Sequence, residues 1–195
     1  MKQSKRALVV LSLALASAQA GAQHAHVHGN AELQVALDGP SLTLMLSSPL
    51  ENLLGFEHAP RTDKQKAAAQ ALAERLAKPE RLFVPTREAQ CSPVASVIDA
   101  PVLGWSGSKG GTVAKEGAAA GRRPSAHKHD KPDGDGHAEI MAQFTFRCEQ
   151  AAALKGVEVR LFDAFKGIRR INAQVAGPAG QKAARLSASQ RVVSW

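Results

Sequence analysis

Residues 31–46 read AELQVALDGPSLTLML, and this stretch decides the fold. Leu33, Val35 and Leu37 alternate with Glu32 and Gln34, a period of two that sends apolar and polar side chains to opposite faces of a strand. Asp38-Gly39-Pro40 breaks the run, and Leu42, Leu44 and Leu46 resume it. The pattern predicts a half-buried β-hairpin. Further along, Ile140, Ala142, Phe144, Phe146 and Cys148 share one face of a strand, with His137, Glu139, Met141 and Gln143 on the other. Shorter apolar runs predict strands at 82–84, 94–103, 157–162, 171–175 and 186–193. Asp99 and Pro101 put the second of these at a sheet edge, because proline has no N–H to give to a ladder.

Between the strands the period changes once. Thr62 and Gln65 form a capping-box pair, and Ala69, Leu72, Ala73 and Leu76 mark one helical face before Pro79 stops it. The helix is predicted over 63–78, its narrow, Ala-rich face lying close against a sheet. Residues 48–60 read as an ordered loop or a short helical turn. About seven strands against one clear helix, with hairpin-length connections, predict a single α+β domain built on antiparallel sheet. A length of 195 residues suits one domain. From 104 to 136 the composition turns to Gly, Lys, Asp and His, with Trp105 and Val113 as the only large apolar residues. Such a segment cannot build a core, and it reads as a disordered insert.

The amino terminus reads as a processing segment. Lys2, Lys5 and Arg6 precede an apolar run from Ala7 to Ala16, then two small-x-small sites, Ala18-Gln19-Ala20 and Ala20-Gly21-Ala22. This is the layout of a signal peptide over 1–22, too short for a comfortable membrane span. The domain is then 23–195, exported to an oxidising compartment such as a periplasm and not membrane-spanning after cleavage. The chain carries 25 Lys and Arg against 17 Asp and Glu. Removing the three cations of the leader leaves 22 against 17, or +5. That excess is ordinary, and with no Tyr in the chain there is no basic patch interleaved with stacking rings. Nucleic acid is not an expected partner.

Cys91 and Cys148 are the only two cysteines, and neither has a second thiol nearby. No CxxC redox or zinc-knuckle spacing exists. Export favours one disulfide between them over the alternative of two buried thiols.

Metal chemistry is carried by the seven histidines. His24, His26 and His28 repeat at a spacing of two near the mature terminus. His127 and His129 repeat it in the insert, followed by Asp130, Asp133, Asp135, His137 and Glu139. Imidazole with carboxylate and without thiolate suits borderline divalent ions, Zn2+ foremost, with Ni2+ and Cu2+ as competitors. An enzyme is not expected. No HExxH, GxSxG or phosphate-loop order occurs, although Glu57 beside His58 has the composition of a base next to a metal ligand. The rival expectation is a protein-interaction or metal-buffering module without a direct transport role.

The stretches HAHVHGNAELQVALDG from His24, SPLENLLGFEHAP from Ser48 and LFVPTREAQC from Leu82 resemble the periplasmic zinc-uptake proteins of the ZrgA type. The resemblance continues through HAEIMAQFTFRC from His137, VRLFDAFKGIRRINAQ from Val159 and Gly180-Gln181, so it covers nearly all of the mature chain. It implies a zinc-binding accessory or carrier that accompanies an inner-membrane ABC-type zinc importer or its receptor component. The family's motifs fall on His24, His26 and His28, on Glu57 and His58, and on His137 with Glu139. Strand parity sharpens this. His28 shares the polar face of the first strand, and His137 and Glu139 share that of the strand ending at Cys148. If those strands pair, His28, His58 and His137 meet at one sheet end, with Glu139 or Glu57 as fourth ligand. His24, His26, His127 and His129 remain as a mobile outer set.

Overall fold

The computed structural model describes residues 28–109 and 138–195. The alternating stretch folds as expected, into β1 (Asn30–Asp38) and β2 (Ser41–Pro49), paired antiparallel so that Leu33 opposes Leu46 and Val35 opposes Leu44. Every one of those four leucines and valines is buried. The chain then runs through α1 (Glu51–Leu54), α2 (Asp63–Leu76) and α3 (Pro79–Leu82) into β3 (Phe83–Pro85) and β4 (Cys91–Ala100). After β5 (Trp105–Lys109) and β6 (Glu139–Cys148) come β7 (Gly156–Val159), α4 (Leu161–Ala164), β8 (Arg170–Gly177), β9 (Gly180–Leu186) and β10 (Val192–Ser194).

Two sheets result. The large one has the order β5-β4-β6-β2-β1-β8-β9, and the small one β10-β7-β3. All pairings are antiparallel except β1 with β8, which run parallel. One apolar cluster joins the buried face of the large sheet to α2, α3 and the small sheet. At its centre Phe83 of β3 meets Phe144 of β6, ring centroids 5.4 Å apart. Burial of this kind contributes about 25 cal/mol for each Å² of apolar surface removed from water.

The helix α2 has the predicted cap. Thr62 accepts from the Gln65 N–H, the Gln65 side chain accepts from the Thr62 N–H, and Ala69, Leu72 and Leu76 are buried. Three one-turn helices join it. One of these, α4, occupies the end of the segment expected to be a strand over 157–162.

Three further expectations change. β4 is not an edge strand: β6 and β5 flank it, Pro101 falls after it in a 3-10 turn, and Pro93 sits at a register shift. Strand pairing extends into the compositional insert, because β5 pairs with β4 and the half-buried Trp105 packs against the core. The closing strand expected at 186–193 is two strands, β9 and β10, separated by a turn that bridges Ser187 and Gln190. Residues 1–27 and 110–137 lie outside the described residues, and with them the leader, the rest of the insert, His24, His26, His127, His129 and His137. No helix among the described residues is long and apolar enough to cross a membrane.

The cysteines are joined. Cys91 and Cys148 stand opposite each other at the junction of β4 and β6 and form a disulfide, as expected, with 57 residues of separation.

Candidate metal centre

The hairpin turn and the disulfide lie at one end of the large sheet. At the other end β1 begins, β2 ends and β6 begins: Pro49 opposes Glu139, and the Leu50 N–H donates to the Ala138 carbonyl at 2.8 Å. Here β2 passes straight into α1. Its first residue, Glu51, extends toward His28, the residue two before β1. His28 Nδ1 and Glu51 Oε2 are 2.5 Å apart, with the two side chains 63% and 44% exposed. Glu57, in the loop between α1 and α2, supplies a third donor. Ligand atoms of His28, Glu51 and Glu57 all lie within 4.8 Å of one another. One carboxylate oxygen of Glu57 is shielded from water.

The backbone beneath this group is tightly fixed. Asn52, next to Glu51, is only 4% exposed. Its side-chain oxygen Oδ1 accepts from the Gly29 N–H at 2.7 Å. Its amide nitrogen donates to the Asn30 carbonyl at 2.8 Å and to Ser48 Oγ at 3.1 Å. The Gly29 carbonyl in turn accepts from the N–H groups of Arg169 and Arg170. Gly29 has φ +86°, a conformation side chains rarely adopt. Gly167 packs so closely on α1 that a Cβ there would stand 2.3 Å from the Asn52 carbonyl oxygen.

Of the residues expected at the site, His28 and Glu57 come together. The condition for a His28–His137 meeting was that their strands pair, and they do not: β2 lies between β1 and β6. Glu139 accepts instead from the Ser47 hydroxyl. His58 is not one of the three converging donors; its Nδ1 donates to the Ala59 carbonyl at 2.9 Å and its ring is tilted against Phe56. Glu51 is the donor the sequence reading missed. Its signal was a second acid six residues before Glu57, in a segment already read as a possible helical turn.

One imidazole and two carboxylates form a donor set that zinc accepts, with a coordination position left open in a tetrahedron. Donors bonded to one zinc ion at 2.0–2.1 Å stand about 3.3 Å apart. The 2.5 Å contact between His28 and Glu51 is shorter than that, so their side chains would rotate apart by about 1 Å to hold an ion between them.

The family model for ZrgA family zinc uptake proteins matches residues 25–195. The chain belongs to the ZrgA family. The match takes in β1 to β10, the disulfide and all three donors, and it confirms the resemblance read from the motifs. Among curated proteins, none matches the chain. Of the three donors His28 is exposed while Glu51 and Glu57 are half-buried, so the group is open to solvent on the histidine side.

Proposed function

We propose that this protein captures zinc in the periplasm and assists its uptake, with His28, Glu51 and Glu57 as the group that holds the ion. The observation that carries the reading is the convergence of these three donors on a fixed backbone, in a chain whose family is one of zinc uptake. The role is one of binding, not catalysis. After removal of 1–22, His24 and His26 lie just ahead of the group in sequence. With His127 and His129 they form an outer set that gathers ions and passes them inward. The partner is an ABC-type zinc importer at the inner membrane, or its receptor component, to which an ion on a three-donor site open on its histidine side is passed by ligand exchange.

The test is calorimetric titration of mature, untagged protein with Zn2+, Ni2+ and Cu2+ in parallel. Two affinity classes are expected for zinc. Glu51→Gln and Glu57→Gln should each weaken the tight class about 10- to 100-fold and leave the fold intact. Deleting residues 110–135, which leaves β5 whole, should remove weak sites only. Tight binding that is lost with the deletion yet survives both carboxamide variants would place the site in the insert and overturn the reading.

A further inference from the structure

We infer that Asn52 is a positioning residue: its single amide fixes the backbones that carry His28 and Glu51 relative to each other, so that only side-chain rotation is left to do when an ion arrives. The inference rests on the reading of His28, Glu51 and Glu57 as the group that holds zinc.

The two donors come from elements far apart in sequence, the start of β1 and the start of α1. Asn52 bridges them. It is covalently next to Glu51, and it receives the N–H of Gly29, which is covalently next to His28. Its acceptor is used on one side and its amide nitrogen on two others, Asn30 and Ser48, so the side chain has no alternative pose of equal energy. The clamp is closed from outside as well. Arg169 and Arg170 hold the Gly29 carbonyl, and Gly167 lies against the Asn52 backbone with no space for a methyl group. Zinc–ligand distances tolerate about 0.2 Å. A slip of α1 along β1 by even 1 Å therefore separates the donors, and the amide is what opposes that slip. A residue that neither ligates nor contacts the ion through a ligand's ring then governs affinity through backbone placement.

Asn52→Ala leaves the Gly29 N–H without its side-chain acceptor and removes the donor to the Asn30 carbonyl and to Ser48 Oγ, which keeps its own bond to the Pro49 carbonyl. Zinc affinity should fall about 10- to 100-fold, as for other groups that orient ligands. A variant merely less stable should not show this. Ile98→Ala on β4, with β6 and β2 between it and β1, serves as that comparison and should keep wild-type affinity while losing stability. Wild-type affinity in folded Asn52→Ala overturns the inference. So does an equal loss in Ile98→Ala.

A second measurement needs only the intact protein. If the backbone of the site is preformed, the Gly29 amide resists hydrogen exchange without metal, and adding zinc slows it by less than about threefold. An amide that exchanges freely until zinc is added overturns the inference. Failure of the underlying site looks different: zinc binding would then be insensitive to Glu51→Gln and Glu57→Gln as well.

Discussion

The two ends of the large sheet are built from the same strands and held in opposite ways. At the hairpin end, Cys148 closes β6 with a covalent bond to Cys91, and its N–H donates to the Pro40 carbonyl of the β1–β2 turn. At the other end β6 starts beside α1, and the order there comes from the Asn52 amide, two glycines and a set of backbone carbonyls. The first arrangement places no donor for a divalent ion at its centre, since both thiols are consumed. The second leaves an exposed imidazole and two half-buried carboxylates close together. A covalent staple fixes strands by consuming the two functional groups that form it. A hydrogen-bonded one fixes them while leaving neighbouring side chains to do chemistry. The difference predicts that stability and metal affinity respond to different substitutions.

The largest effect should come from breaking the covalent end. The disulfide closes a loop of nearly sixty residues, and loop-closure entropy assigns such a bond about 4 kcal/mol. Cys91→Ser with Cys148→Ser, unfolded in urea beside the wild type, should lose most of that stability. Its zinc affinity, measured well below the unfolding transition, should stay within about twofold of wild type. A large loss of affinity in the folded double variant would show that the two ends are coupled through β6, and the comparison would fail.

A middle-sized effect should come from the cap that starts α2. Thr62→Ala removes the hydroxyl that accepts the Gln65 N–H, and half of the reciprocal pair with it. Loss of such a cap costs about 1 kcal/mol. Glu57 lies in the loop leading into that cap, five residues before Thr62. Thr62→Ala should therefore be felt slightly at the zinc group, by a factor well short of that for Glu57→Gln. Thermal melts and titrations of the same sample separate the two quantities. A stability change indistinguishable from zero would mean that α2 is positioned by Leu72 and Leu76 alone.

The hairpin end was the more legible of the two in the sequence. Period-two alternation identifies β1, β2 and β6 because each has one face against the core and one toward water. β9 escaped notice for the converse reason. It is an edge strand with Lys182, Ala183 and Arg185 exposed and only Leu186 fully buried, so it has no alternation to read. The parallel pairing of β1 with β8 is a long-range choice that no local pattern encodes. At the metal end, imidazole drew attention to His28 and to Glu57 beside His58, yet Glu51 opens a helix, where an acid is ordinary compensation for the helix dipole. Its role depends on how α1 folds back on β1. That in turn depends on Asn52, a buried polar residue in a run of leucines with no period to mark it. His58 illustrates the reverse: its residue type suits ligation, yet it lies outside the three converging donors, with Nδ1 donating to the local Ala59 carbonyl.

The smallest effect belongs to the small sheet, which carries neither staple nor donors. Glu158 of β7 accepts two hydrogen bonds from the Arg160 guanidinium, both at 3.0 Å. That bonding, aided by the charges of Arg160 and Arg191, holds the Glu158 carboxyl below its ordinary value of 4.5. Its proton is therefore bound more weakly in the folded chain than in the unfolded one. The pair contributes stability above the unfolded value, and the contribution is lost as pH falls through the lower folded one. Both side chains are more than a third exposed, so water and salt screen most of the interaction and its effect should be the weakest of this series. Glu158→Gln should sit slightly below wild type in urea stability at neutral pH, and the gap should close as pH falls through the lowered folded value. Added salt should narrow it at neutral pH too. A gap that widens with acid would reverse the sign, and would mean that the carboxyl is stabilised in its protonated form by a contact other than Arg160.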